Sequence, residues 1–177
     1  LCTAARIRGS AAWMWALLFA VLGLVGPLLF LIWQVHRGHV TDLDIHFRQQ
    51  RKWAVLVTIA GFALTWAAMM VGGAPPMLRL MVGTGLLEWI ALHLITLRWK
   101  ISFHAASVSG MITYLVWGFG LSAAPALLVI PIIGWSRIKL RRHTPAQVLA
   151  GVGLGLTAFA TALLLSPQVT MPGLLAE

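Results

Sequence analysis

Six apolar stretches, separated by short connections, dominate the chain. A transmembrane helix needs about 20 predominantly apolar residues, and most of the stretches approach or exceed that length. The pattern predicts an all-α integral membrane six-helix bundle that forms a single domain over residues 1–177. The predicted spans are Ala11–Trp33, Trp53–Val71, Met77–Leu97, His104–Leu121, Ala124–Trp135 and Pro145–Leu165. Because the fifth is short, five spans and a re-entrant segment are the alternative.

The composition agrees with a membrane location. Hydrophobic residues make up 60% of the chain and charged residues only 10%, and the mean hydropathy is +0.90. A soluble domain carries about 25% charged residues. A transmembrane β-barrel is excluded because its strands alternate apolar and polar positions over about 10 residues, whereas these apolar runs are continuous and longer.

Two kinds of connection alternate between the spans. The turns at residues 72–76 and 122–125 contain Gly, Pro, Ala and Ser and no charge. The other three connections, which begin near His36, Arg98 and Ser136, carry ten of the thirteen Lys and Arg residues. If six spans alternate in direction, the three polar connections share one membrane face. Because Lys and Arg are enriched on the cytoplasmic side, the charge bias favours a cytoplasmic location for that face.

The net charge of +9 does not indicate nucleic-acid binding. A nucleic-acid-binding domain gathers its cations on one soluble face, whereas here they are divided among several short loops. Phosphate on a lipid headgroup, or an anionic membrane surface, is the better partner. We therefore expect a membrane lipid as substrate and no nucleic acid, and we expect the plasma membrane of a prokaryote as the location. The oligomeric state stays open.

Two polar clusters at span ends contain groups suited to phosphoryl chemistry. One is Lys100-Ile101-Ser102-Phe103-His104, and the other runs from Ser136 and Arg137 to His143. Arg grips phosphate in bidentate fashion and Lys adds a positive charge. A neutral imidazole attacks phosphorus, and a protonated one gives a proton to the leaving oxygen. Two histidines at helix starts, where backbone N–H groups favour anions, predict a phosphate site that needs no metal and no cofactor.

These clusters resemble motifs of the type 2 phosphatidic acid phosphatase superfamily. Ser136-Arg137, five residues and His143 are similar to its third motif, SRxxxxxHxxxD, and Ser102-Phe103-His104 is similar to its second, PSGH. The region of Arg51 falls where the first motif, KxxxxxxRP, is expected. The resemblance covers about residues 40–160. His143-Thr144-Pro145-Ala146-Gln147-Val148 also resembles the HTxxQV form of dolichyl-diphosphatase-like members, which favours polyprenyl phosphates as substrates.

The resemblance implies a role for each matched residue. His143 would be the nucleophile that forms a phosphohistidine, with Gln147 as the hydrogen-bond acceptor of its imidazole. His104 would protonate the leaving group. The phosphoryl oxygens would be held by basic and hydroxyl side chains, for which the candidates are Arg137, Arg51, Ser102, Lys100, Arg48 and Ser136.

Three positions depart from the motifs. Asp44 stands where the first motif has Lys, so Arg48 or Lys52 is the candidate replacement, and no Pro follows Arg51. Gln147 stands where the third motif has Asp. Gln accepts a hydrogen bond from the imidazole but cannot stabilise an imidazolium by charge.

Two features within the spans have structural interpretations. The Gly151, Gly153 and Gly155 run indicates close helix packing. Glu88 and His93 are interpreted as buried polar contacts between helices or support for the site. An ion-coupled transporter that uses them is a further hypothesis, but it leaves the motif-spaced residues unexplained.

The sequence therefore predicts a membrane-embedded hydrolase that cleaves a polyprenyl or glycerolipid phosphomonoester or diphosphate through a phosphohistidine. A phosphotransferase that uses the same intermediate is one alternative. A catalytically inactive relative that binds or translocates anionic lipids is the other, and the Asp44 and Gln147 departures are its basis.

Overall fold

The computed structural model describes residues 13–43, 45 and 50–166, and these residues form helices and no β-strand. The helices, named here in chain order, are α1 (Trp13–His36), α2 (Arg51–Val71), α3 (Pro76–Thr96), α4 (Phe103–Phe119), α5 (Val129–Lys139) and α6 (Pro145–Leu164). A π-helical segment, Ala20–Val25, lies within α1. A 3₁₀ segment, Gly120–Leu128, joins α4 to α5. The all-helical prediction is confirmed.

The count of six spans is not confirmed. Within the described residues, five helical stretches are long and apolar enough to cross a membrane, and Phe103–Lys139 counts as one of them. The predicted span Ala124–Trp135 is α-helical only from Val129, because it begins in the 3₁₀ segment that contains Pro125. At 11 residues, α5 is roughly 16 Å long, whereas a bilayer core is about 30 Å thick.

The described residues divide into two compact units, one ending at His93 and the other beginning at Leu94. The core of the first unit contains Phe62, Met69, Ala74 and Val82, with Phe19 packed against it. The Phe19 and Phe62 rings meet edge to face, with centroids 5.2 Å apart. The predicted turn after α2 is also present: Gly73 has a φ of +69°, a conformation that glycine adopts without strain.

In the second unit, α4 and α6 lie side by side and run in the same direction. A Cβ atom on Gly151 would lie 2.6 Å from the Ser102 carbonyl oxygen, and one on Gly155 would overlap the Ala106 carbonyl oxygen. The hydroxyl of Ser109 on α4 donates to the Val152 carbonyl of α6 at 3.1 Å. Residues further along α4 contact residues further along α6, so the two helices are parallel. Their N-termini therefore lie at the same end.

Helix α5 runs in the opposite direction to its two neighbours. It follows α4 after the left-handed residue Gly120, whose φ is +60°. Near its C-terminal end, a Cβ atom on Gly134 would meet the Val148 side chain at the start of α6, at 3.1 Å. The C-terminal end of α5 is therefore close to the N-terminal end of α6. The chain brings residues near 137 back to the end at which α4 begins.

We expect Gly151→Ala and Gly155→Ala to lower the thermal-unfolding midpoint in detergent, because each new methyl group meets α4 backbone. Overpacking costs about 1–3 kcal/mol, and each kcal/mol lowers the midpoint of a chain of this size by about 2–4 °C.

Gly153→Ala is the matched control, because nothing lies within 4 Å of its Cβ position. Alanine is also the better helix former, so this variant should melt at or slightly above the wild-type midpoint. Equal midpoints for the three variants would contradict the packing described for α4 and α6.

Candidate functional site

The predicted catalytic histidines lie at the N-termini of α4 and α6. His104 is in the first turn of α4, and His143 immediately precedes Thr144, the N-cap residue of α6. The backbone N–H of Ser102 donates to the carbonyl oxygen of Gln147 at 3.2 Å. This bond joins the start of α4 to the first turn of α6. The two segments that resemble the second and third motifs are thus brought together at one end of the second unit.

His143 is held by the first turn of α6. Its Nδ1 atom lies 3.2 Å from Oε1 of Gln147, and the backbone N–H of Thr144 donates to the same Oε1 at 3.2 Å. An atom that accepts from a backbone N–H is the amide oxygen, so Nδ1 of His143 must be the donor in their contact. A neutral His143 then carries its lone pair on Nε2, the nitrogen that can act as a nucleophile.

The same turn also starts the helix. The Thr144 side chain accepts from the backbone N–H of Gln147 at 3.4 Å, which completes a capping box with the Gln147 contact to the Thr144 N–H. Pro145 occupies the first helical position, where its missing N–H is not needed. Sequence reasoning missed the role of Thr144 as cap, although the Thr-x-x-Gln pattern was the signal for it.

The backbone turn between Arg137 and His143 explains their spacing. The carbonyl oxygen of Arg137 accepts from the N–H groups of Arg142 (3.0 Å) and His143 (3.2 Å), and the N–H of Arg141 donates to Ile138 (2.9 Å). The six-to-one and five-to-two bonds are those of a Schellman motif, with a left-handed residue, Arg141, at the position after the cap. This closed turn holds the guanidinium-bearing residue and the imidazole-bearing residue in a fixed relation.

Ser102 serves as the N-cap of α4. Its Oγ accepts from the backbone N–H of Ala105 at 3.3 Å, and the side chain is fully buried. The capping role accounts for a serine two residues before His104. A direct contact of Ser102 with phosphate stays a prediction.

The second unit provides a strongly electropositive setting for an anion. Lys100, Arg137 and Ser136 are half-buried, His143 is only 8% exposed and His104 is exposed to solvent or headgroups. Residues 94–166 contain six Lys and Arg residues and no Asp or Glu. Two helix N-termini add positive potential at the same end. The arrangement is suited to binding a phosphate next to two imidazoles.

The remaining candidates belong to the chain before the second unit. Arg51 belongs to the first unit, where it begins α2, is buried, and donates from Nε to the Ile45 carbonyl at 3.0 Å. Arg48 and Asp44 lie outside the described residues. Glu88 is buried in α3, and its Oε1 has no hydrogen-bond partner among the residues that the structure describes.

No group of three or more His, Cys, Asp or Glu side chains suited to a metal ion occurs within residues 13–43, 45 and 50–166. Comparison of the chain with protein-family models, with curated proteins and with solved structures gives no match. The fold and site define an all-helical protein with membrane-length helices and a cationic cluster with two histidines at paired helix starts.

We expect Gln147→Leu to change the preferred tautomer of the His143 imidazole. Without the Gln147 oxygen, Nδ1 loses its acceptor and the proton moves to Nε2 in a large part of the population. The 15N chemical shifts of the His143 ring report this change directly. The variant should also lose about 1 kcal/mol of stability, because the Thr144 N–H loses its partner.

Thr144→Ala provides the control for helix capping. It removes the hydroxyl that accepts from the Gln147 N–H but keeps the Gln147 oxygen and its contact with His143. Its imidazole shifts should match those of the wild type while its stability falls by a similar amount. A wild-type tautomer in Gln147→Leu would contradict the assigned hydrogen bond.

Proposed function

We propose that this protein is a membrane-embedded lipid phosphatase or diphosphatase that acts through a phosphohistidine formed on His143. The observation that carries the proposal is the His143–Gln147 contact of 3.2 Å, which leaves the lone pair of a neutral imidazole on Nε2. The proposed substrate is a polyprenyl or glycerolipid phosphomonoester or diphosphate. The membrane-length helices support a lipid as the substrate class.

In the first proposed step, Nε2 of His143 attacks phosphorus and the bond from phosphorus to the leaving oxygen breaks. A protonated His104 gives its proton to that oxygen, so the alcohol or phosphate leaves in neutralised form. In the second step, water attacks the phosphohistidine while neutral His104 takes a proton from it. Inorganic phosphate leaves and Nε2 of His143 regains its lone pair.

The cations of the second unit would stabilise the transferring phosphoryl group. The closed turn that joins Arg137 to His143 supports this role for Arg137, and Lys100 would add a second positive charge. Backbone N–H groups at the starts of α4 and α6 favour an anion at the same end. Preorganised positive charge of this kind supplies a large share of the rate enhancement in phosphoryl transfer. Arg51 and Arg48 stay proposed contributors from the first motif region.

The neutral side chain of Gln147 favours a second candidate function, lipid binding without turnover. An Nε2-phosphorylated imidazole with a proton on Nδ1 is cationic, and a carboxylate partner would stabilise it through a charge-assisted hydrogen bond, which is roughly twice as strong as a neutral one. Gln147 offers only a dipole. A lipid-binding protein without turnover is therefore the second candidate, and the same assay separates the two.

We expect purified protein in detergent, with EDTA present, to release phosphate from a lipid phosphate. The panel would hold undecaprenyl diphosphate, phosphatidic acid and phosphatidylglycerophosphate. His143→Ala should lower release by about a thousandfold or more, because removal of a covalent nucleophile leaves only binding and electrostatic terms.

His36→Ala is the control, since His36 is an exposed histidine at the end of α1 in the other unit. It should keep wild-type activity. No release by folded wild-type protein, with lipid still bound, would replace the phosphatase by the lipid-binding protein. Transfer of phosphate to an added alcohol instead of water would identify a phosphotransferase.

The role of His104 as proton donor predicts a dependence on the leaving group. His104→Ala should reduce release from an alkyl lipid phosphate by about 10²- to 10⁴-fold, the usual contribution of general acid catalysis. It should reduce release from an aryl phosphate far less, because a phenolate leaves without a proton. Equal losses on both substrates would assign His104 to binding rather than proton transfer.

A further inference from the structure

The turn that follows α5 combines exposed apolar and exposed cationic side chains. Trp135 and Leu140 are more than half exposed, and Lys139 and Arg141 are exposed beside them. We call Lys139–Arg142 the basic turn. Apolar groups that reach into acyl chains beside cations that reach headgroups are typical of a protein surface at the membrane interface.

Arg141 has a backbone conformation that does not favour arginine. Its φ is +54°, at the helix-end position where glycine is most common. A left-handed conformation costs a residue with a Cβ atom about 1 kcal/mol or more. Glycine would suit this backbone conformation better than arginine does.

The described part of the second unit does not balance the charge of the basic turn. Residues 94–166 hold six Lys and Arg residues and no acidic residue. Among the residues that the structure describes, the side chains of Lys139 and Arg141 have no hydrogen-bond or ion-pair partner. Residues 94–166 therefore supply no anion that neutralises these two side chains.

We propose that the basic turn binds the phosphodiester headgroup of an anionic membrane lipid, which is a bound partner and not the substrate. Arg141 and Lys139 contact the phosphodiester, and the acyl chains lie against Leu140 and Trp135. A lipid surface fits better than a soluble anion because apolar and cationic side chains are exposed together. The proposal requires only the exposed side chains of the basic turn and no reaction at the histidines, so it stands whether or not the protein is a phosphatase.

The test uses full-length protein in zwitterionic detergent and a titration with dioleoylphosphatidylglycerol. Bound lipid is counted by native mass spectrometry, and the thermal-unfolding midpoint is measured in parallel. Wild type should bind phosphatidylglycerol in preference to phosphatidylcholine and should melt at a higher temperature with it. Arg141→Gly and Lys139→Gln should each weaken binding about fivefold, the effect of removing one cation near an anionic surface.

Arg37→Gln is the matched control, because Arg37 is an exposed cation stacked on Trp33 in the other unit. Each of the three variants lowers the net charge from +9 to +8, so general electrostatic attraction changes equally. Arg37→Gln should bind within about twofold of wild type, well inside the effect of one interfacial cation. Arg141→Gly should melt at or above the wild-type midpoint without lipid, since glycine suits the left-handed position.

Four results would overturn the proposal. Wild-type binding by Arg141→Gly would remove the arginine from the site, and an equal loss in Arg37→Gln would reduce the effect to net charge. Equal binding of phosphatidylcholine would show that apolar contact alone accounts for lipid binding. Displacement of phosphatidylglycerol by inorganic phosphate would identify a site for free phosphate instead of a lipid headgroup.

Discussion

The close approach of α4 and α6 is the contact on which the rest of the second unit depends. Glycines on α6 let the two backbones approach until Gly151 touches the Ser102 carbonyl, and the Ser102 N–H then reaches the Gln147 carbonyl. Without water in a bilayer core, van der Waals contact between small residues is a main source of helix association. Because this contact lies at the helix starts, the packing of α4 against α6 also brings the candidate-site residues together.

Much of this arrangement could be predicted from the sequence, and the failures have physical causes. The long apolar runs and the Gly72–Gly73 turn predict helices and a reversal that the structure contains. The count of six spans is not confirmed at residues 120–128, because hydropathy cannot distinguish an α-helix from a 3₁₀ segment. Of the glycine run, Gly151 and Gly155 face α4 while Gly153 faces nothing within 4 Å, since residues two apart lie on different helix faces.

Within the candidate site, the sequence predicted Gln147 as a hydrogen-bond partner of His143 but not the backbone turn that precedes His143. The five residues between Arg137 and His143 form a closed turn whose carbonyl acceptor is Arg137 itself, and no composition rule predicts an arginine in the left-handed position of that turn. Ser102 shows the converse: a serine at a motif position also caps a helix. Helix initiation and the proposed chemistry involve the same few residues because both need polar groups at a helix start.

The oxygen of Gln147 has two donors, the Thr144 amide and the His143 imidazole. A carbonyl oxygen has two lone pairs and can serve both, but a positively charged imidazole is the stronger donor and draws the amide group towards itself. The first turn of α6 is then mechanically coupled to the charge on His143. Gain or loss of one positive charge on the ring changes the strength of the hydrogen bond from the Thr144 N–H to Gln147, which caps the helix. The start of α4 is bonded to that same turn through the Ser102 N–H.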